Sequence, residues 1–280
     1  MKKTNDVINY FFKDSEARFA KETARGYGIS LRQFFGFCQK EYDEVKAADI
    51  RAWLAELEKN GQKARTRNLK LASLRTFYKY CINENLTQKD PTLNVSMCQI
   101  DDSLPFFLDK ATLALLMEAA KDNLRDRAII ETLYATGVRV SELINTKLSD
   151  IKWDNRQIWI SKGKGNKERF VLFTTECAER LREYLDNRIV QSPYLFANKK
   201  GGHLSRVWVE LMFRGYSKKL GLGVAVTPHT LRHTFAAHLA EKDMPQTHIQ
   251  ELLGHVNINT TRIYTRLSAT ARKKQYDNYQ

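Results

Sequence analysis

Four short segments bring together residue types that can act on a phosphate ester. The first, Thr136-Gly137-Val138-Arg139-Val140-Ser141-Glu142-Leu143, sets an arginine in a turn between two helical stretches. The second, Gly163-Lys164-Gly165-Asn166-Lys167, puts lysines at a turn tip, where an ammonium can reach a partner lying on the domain. Taken alone it is an exposed loop. The third is Thr227-Pro228-His229-Thr230-Leu231-Arg232-His233. Thr227 fits a helix N-cap and Pro228 the first helical position. A helix start offers unpaired N–H groups to an anion, and His229 and Arg232 share one face of its first turn. His229 and His233 also have a zinc-helix spacing, but that motif requires glutamate after the first histidine, and Thr230 stands there. The fourth is Leu252-Leu253-Gly254-His255, followed nine residues later by Tyr264. A tyrosine beside an apolar helix is, by itself, most simply a core residue.

The elements that must position these groups are mostly helical. Thr23 can cap a helix carrying Tyr27, Leu31, Phe34, Phe35 and Cys38. Ile50, Trp53, Leu54 and Leu57 mark a second helix, and Gly61 suits its end. Leu71, Leu74, Phe77, Tyr78 and Cys81 mark a third, on which Lys63, Arg67 and Lys70 fall on one side. That stripe reads either as a phosphate grip or as a solvated face. Asp90-Pro91 breaks helix, and the stretch to Pro105 lacks periodicity, so it reads as a linker. Two helical segments follow, roughly 110–121 and 124–135, the second stopped by Gly137. Alternation at 157–160 and 169–172 around the lysine turn predicts a β-hairpin. The remainder reads as helix, with a short strand at 194–196. The fold class is mostly α with a small antiparallel sheet. The division is a helical domain at 1–88, a linker at 89–104 and a second domain at 105–280.

Charge narrows the partners. The 280 residues carry 46 Lys+Arg against 32 Asp+Glu, a net +14. Residues 1–104 hold 18 basic and 14 acidic residues, and 105–280 hold 28 and 18, so most of the excess lies in the second part. Yet the sharpest basic run, without an acidic residue, lies between Glu58 and Glu84. A strongly basic globular chain meets polyanions, nucleic acid first. No apolar run is long enough to span a membrane, and no signal peptide follows Met1. Cys38, Cys81, Cys98 and Cys177 lack metal-ligand spacing and read as reduced thiols of a cytosolic protein.

Taken in order, Arg139, Lys164, His229, Arg232, His255 and Tyr264 resemble the catalytic pattern of the tyrosine recombinase, or phage integrase, family. The blocks ATGVRVSEL, KGKGNKERFV, PHTLRHTFAAHL and LLGH are similar to its Xer-like branch. So is the spacing of Thr23, Tyr27, Leu31 and Phe34 in the N-terminal segment. The resemblance implies an N-terminal helical, SAM-like core-binding domain and a catalytic domain ending in a C-terminal tail; the spacing of Lys63, Arg67 and Lys70 makes them the candidate DNA contacts of the first. It implies a site-specific recombinase that cleaves and rejoins double-stranded DNA through a 3′-phosphotyrosyl link and exchanges strands via a Holliday junction. Tyr264 would be the nucleophile, His229 the proton acceptor, and Arg139 and Arg232 the grip on the non-bridging oxygens. Lys164, with Lys162 as the fallback, would protonate the leaving 5′ oxygen, and His255 would donate to the phosphate. Glu142 either orients Arg139 or is a helix surface carboxylate or cap. No cofactor or metal is implied, and no small-molecule substrate. A homotetramer or heterotetramer on two duplexes, joined by the tail at 267–280, and a cytoplasmic, nucleoid-associated location complete the expectation. The other readings are a type IB topoisomerase-like enzyme and a DNA-binding accessory protein without chemistry.

Overall fold

The computed structural model describes residues 3–100, 106–161, 168–254 and 276–277. The chain divides into two compact units, 1–102 and 103–280.

The first unit is built from α1 (Thr4–Asp14), α2 (Lys21–Cys38), α3 (Ala47–Lys59) and α4 (Ala64–Asn83). Each presents an apolar stripe at helical spacing, and the stripes share one core containing Val7, Phe11, Leu31, Phe34, Trp53, Leu74 and Phe77. Phe11 meets Phe77 edge-on at 5.7 Å, and Phe34 meets Trp53 at 5.2 Å. Helix α2 begins two residues before Thr23, with Ala20 as its N-cap. Phe19, just before that cap, packs on both Phe11 and Tyr27 and so fixes where the helix enters. Gly61, at φ 73°, follows the end of α3. Residues 90–98, which lack periodicity, are seated on this unit. Val95 is buried, Arg75 donates to its carbonyl at 2.7 Å, and the Asn68 amide pairs with both backbone groups of Cys98 at 2.8 Å.

The second unit opens with α5 (Lys110–Ala119), α6 (Leu124–Thr136) and α7 (Val140–Asn145). A three-stranded antiparallel sheet follows, ordered β1 (Ile151–Lys152), β2 (Gln157–Ile160) and β3 (Arg169–Leu172). Trp159 pairs with Phe170 and Ile160 with Arg169, the hairpin read from alternation. Ile158, Ile160 and Val171 are buried in the core, while Phe170 and Leu172 are exposed. Among the described residues, α8 (Thr175–Asp186), α9 (Arg206–Lys219), α10 (Pro228–Glu241) and α11 (Gln246–Leu253) follow. The expected strand at 194–196 is instead a single bridge from Tyr194 to Lys147, with Leu195 and Phe196 buried.

Helix α6 is buried nearly all round, lying between α8 and α10, so its sequence shows little amphipathic contrast. His238 is a structural residue of this layer. Its Nε2 donates to the Leu108 carbonyl at 3.0 Å, which leaves Nδ1 to accept from the Tyr134 hydroxyl at 3.0 Å. The four cysteines are free thiols. Among the described residues, no helix is long and apolar enough to cross a membrane, and no group of three potential ligands could hold a metal ion.

Candidate active site

Three turns place the described candidate residues. Helix α6 ends at Gly137, whose φ of 60° suits a residue without a side chain. A Cβ there would come within 2.4 Å of the Phe235 ring. Helix α10 lies that close because Gly137 is bare, and the Gly137 carbonyl accepts from Arg232 Nη1 at 2.6 Å. Arg139 follows as the N-cap of α7. Helix α11 ends at a second left-handed glycine, Gly254.

The carboxyl end of α11 is the meeting point. A helix leaves its last carbonyls without helical partners. Here three successive carbonyls are taken by three different guanidinium groups. Arg169 Nε donates to Leu252 at 3.2 Å, Arg232 Nη2 to Leu253 at 2.6 Å, and Arg139 Nη2 to Gly254 at 3.2 Å. Cations also suit the negative end of the helix dipole. One carboxylate balances them. Glu142 pairs with Arg139 Nη1 at 2.7 Å and with Arg169 at 2.8 Å, and accepts the Arg139 backbone N–H at 2.8 Å. Burial pushes its carboxyl up, but the bonds from Arg169 and from Arg139 outweigh this and hold it below the usual glutamate range. Among the described residues, three guanidiniums gather around one carboxylate, which concentrates positive charge at one place. That is the electrostatic requirement for binding a phosphodiester and stabilising the added charge of a pentacoordinate phosphorus.

His229 stands on the first turn of α10, behind the Thr227 cap and Pro228. Thr227 accepts from the Thr230 N–H at 3.1 Å and donates its own N–H to the Thr230 hydroxyl at 3.1 Å, closing a capping box. Burial, then Arg232, Arg139 and Arg206, push the His229 imidazole below the usual histidine range. It is therefore neutral near pH 7, as a proton acceptor must be. His233 packs edge-on against it at 4.2 Å and is pushed down to about 4 by burial. Arg139, Arg232 and His229 are thus electrostatic neighbours. Lys162, Lys164, His255, Tyr264 and the tail at 267–275 lie outside the described residues.

The three basic residues of α4 go to different places. Lys63, the N-cap residue of α4, is exposed. Arg67 forms an ion pair with Glu58 at 2.8 Å. Lys70 is 92% covered: its ammonium bonds to Gln33 Oε1 and lies 5.6 Å from the Trp53 ring centre. They do not form one exposed stripe, because α4 turns Lys70 toward α2 and α3. The sequence reading gave Arg169, within the KGKGNKERFV block, no role. Its signal was present: the alternation puts it on the same sheet face as Val171, where a charge is out of place unless paired.

A helical unit followed by a mostly helical one, with arginines converging on a helix end, matches a known architecture. The chain belongs to the phage integrase family: the family's model matches residues 107–271, and that of the phage integrase N-terminal SAM-like domain matches residues 9–85. It is a tyrosine-type site-specific recombinase of the Xer-like kind. It is 36% identical to the tyrosine recombinase XerC of Leptospira interrogans, over 96% of this chain and 90% of that one. It superposes on the crystal structure of XerA recombinase with a TM-score of 0.58 and 30% identity, covering 99% of both chains. It also superposes on XerH site-specific recombinase bound to difH substrate, in a pre-cleavage complex. There the TM-score is 0.72 at 25% identity, over 96% of this chain and 84% of that one.

Proposed function

We propose that the chain cuts one strand of a specific duplex DNA site with Tyr264, holds the DNA as a 3′-phosphotyrosyl ester with a free 5′ hydroxyl, and rejoins it to a partner strand through a Holliday junction. The observation that carries this is the convergence of Arg139 and Arg232 on adjacent carbonyls of α11, with His229 alongside.

A free tyrosine ionises near pH 10, so about one in a thousand is anionic at neutral pH. His229, neutral and beside two guanidiniums, accepts the phenolic proton as Tyr264 attacks. Arg139 and Arg232 hold the two non-bridging oxygens; each guanidinium has five donors, more than the Glu142 and Gly254 oxygens on Arg139 or the Gly137 and Leu253 carbonyls on Arg232 engage. Lys164, or Lys162 in the same turn, gives a proton to the departing 5′ oxygen, and His255 donates to the phosphate. The bond energy stays in the ester, so rejoining needs no ATP.

Residues 1–88 act as the core-binding domain, joined through 89–104 to a catalytic domain at 105–280. On α4, Lys63 meets backbone phosphate directly; Arg67 must leave Glu58, and Lys70 must leave Gln33, to do the same. The tail joins subunits into a tetramer on two duplexes, in the cytoplasm at the nucleoid. The test uses two duplexes of unequal length carrying the same site, the site being recovered by covalent capture from a randomised pool. Recombination gives products of exchanged length. Relaxation of a plasmid with no exchanged products contradicts the proposal.

A further inference from the structure

Arg169 stands in the KGKGNKERFV block but is none of the six catalytic positions, yet it touches two of the other segments that carry the chemistry. Its Nη1 and Nη2 make a forked pair with Glu142 Oε1 and Oε2 at 3.1 and 2.8 Å, and its Nε donates to the Leu252 carbonyl at 3.2 Å. Glu142 in turn holds Arg139 by both its backbone N–H and its Nη1. The guanidinium of Arg169 is packed against backbone as well. A Cβ on Gly254 would stand 3.1 Å from its Cδ, Cζ and Nε, so the bare glycine and the arginine fit each other. With the side chain largely covered and the Glu142 carboxylate 2% exposed, water does not substitute for these bonds.

We propose that Arg169 is a positioning residue for DNA cleavage: it ties Glu142, and through it Arg139, to the carboxyl end of α11. The arrangement needs a planar fork with a third donor pointing back along the stem. Arginine supplies this and lysine does not. The residue touches no reacting atom, and the inference rests on Arg139 as a phosphate-binding group.

The test compares full-length wild type, Arg169→Lys, Glu142→Gln, the double variant and Arg139→Ala. Each is mixed in excess with a nicked duplex selected by wild-type covalent capture from a pool with a randomised centre. Arg169→Lys keeps the charge beside Glu142 and so keeps the fold; Arg169→Met, which does not, is read only alongside its thermal unfolding. Arg169→Lys is expected to bind the duplex within about 2-fold of wild type, since its fold and phosphate contacts are intact. Its single-turnover attachment rate is expected to fall by about 10- to 100-fold, part of what loss of a preorganised donor costs. The double variant should be no slower than Glu142→Gln by more than about 2-fold, because the two act in series. A purely structural role gives losses that multiply in the double variant and fall equally on binding. Attachment by Arg169→Lys at the wild-type rate, or multiplying losses, overturns the proposal. Normal attachment by Arg139→Ala overturns it together with the phosphate role of Arg139. Failure of Arg139→Ala alongside normal Arg169→Lys overturns the role of Arg169 alone.

Discussion

Replacing Gly137 by alanine perturbs the fold and the site through one atom. The backbone there has φ 60°, where a side chain costs about 1–2 kcal/mol. The added Cβ would lie 2.4 Å from Phe235 Cδ1 and 3.0 Å from Leu253 Cδ2, inside the contact between α6, α10 and α11. Such overpacking costs about 1–3 kcal/mol. The sum, about 2–5 kcal/mol, corresponds to a melting temperature lower by about 4–20 °C for a unit of this size. The same displacement moves the carbonyl that receives Arg232 at 2.6 Å, so cleavage should fall more than the loss of folded protein explains. Thermal unfolding followed by circular dichroism, with covalent attachment measured well below the transition, separates the two effects. Gly215→Ala is the control. It lies in α9 with nothing within 4 Å of its added Cβ, and should stabilise by about 0.5–1 kcal/mol. A Gly137→Ala protein that melts and cleaves like wild type would refute the close approach of α10 and the link to Arg232.

Other outcomes follow from the same geometry. The His229 imidazole is held below the usual histidine range, so the acid limb of the cleavage rate against pH should lie below that range. Removing the nearby positive charge in Arg206→Gln should raise the imidazole and move that acid limb upward, measured as attachment rate against pH. Glu142 is held below its ordinary value in the fold, so it contributes stability above the unfolded-state value of about 4.3 that is lost as pH falls through the lower folded value. Urea unfolding of Glu142→Gln should therefore show a smaller loss of stability on acidification than wild type. Lys63→Ala should leave melting unchanged and reduce the slope of log binding constant against log salt by about 0.9. Lys70→Ala, which strips a covered ammonium from Gln33 and Trp53, should cost about 1–3 kcal/mol of stability in thermal unfolding.

Much of this was legible in the sequence where one local rule decides. The Thr227-Pro228 start of α10, the stop at Gly137 and the extents of β2 and β3 each follow from capping, left-handed glycine or two-residue alternation. The family resemblance singled out Arg139, His229 and Arg232, and the fold makes them neighbours. What local rules miss is which face looks inward and who partners whom. Lys63, Arg67 and Lys70 share a side of α4 by spacing. Only the packing of α2 and α3 shows that Lys70 is covered. Glu142 pairs with the Arg139 guanidinium and also caps α7, but it is buried and so is not the surface carboxylate that the spacing equally allowed. For Arg169 the alternation signals only that a charge on the Val171 face needs a partner; which partners could not be read, because they lie 27 and 83 residues away.

The central claim is that Tyr264 becomes joined to DNA. Wild type trapped on a nicked duplex, digested and mapped by mass spectrometry, should yield a nucleotide-bearing peptide modified at Tyr264. The nucleotide should be linked through its 3′ phosphate, and the released strand should carry a 5′ hydroxyl. Tyr264→Phe should bind the same duplex and give no such peptide. An adduct on another residue, a 5′-phosphoryl linkage, or attachment by Tyr264→Phe would contradict the account.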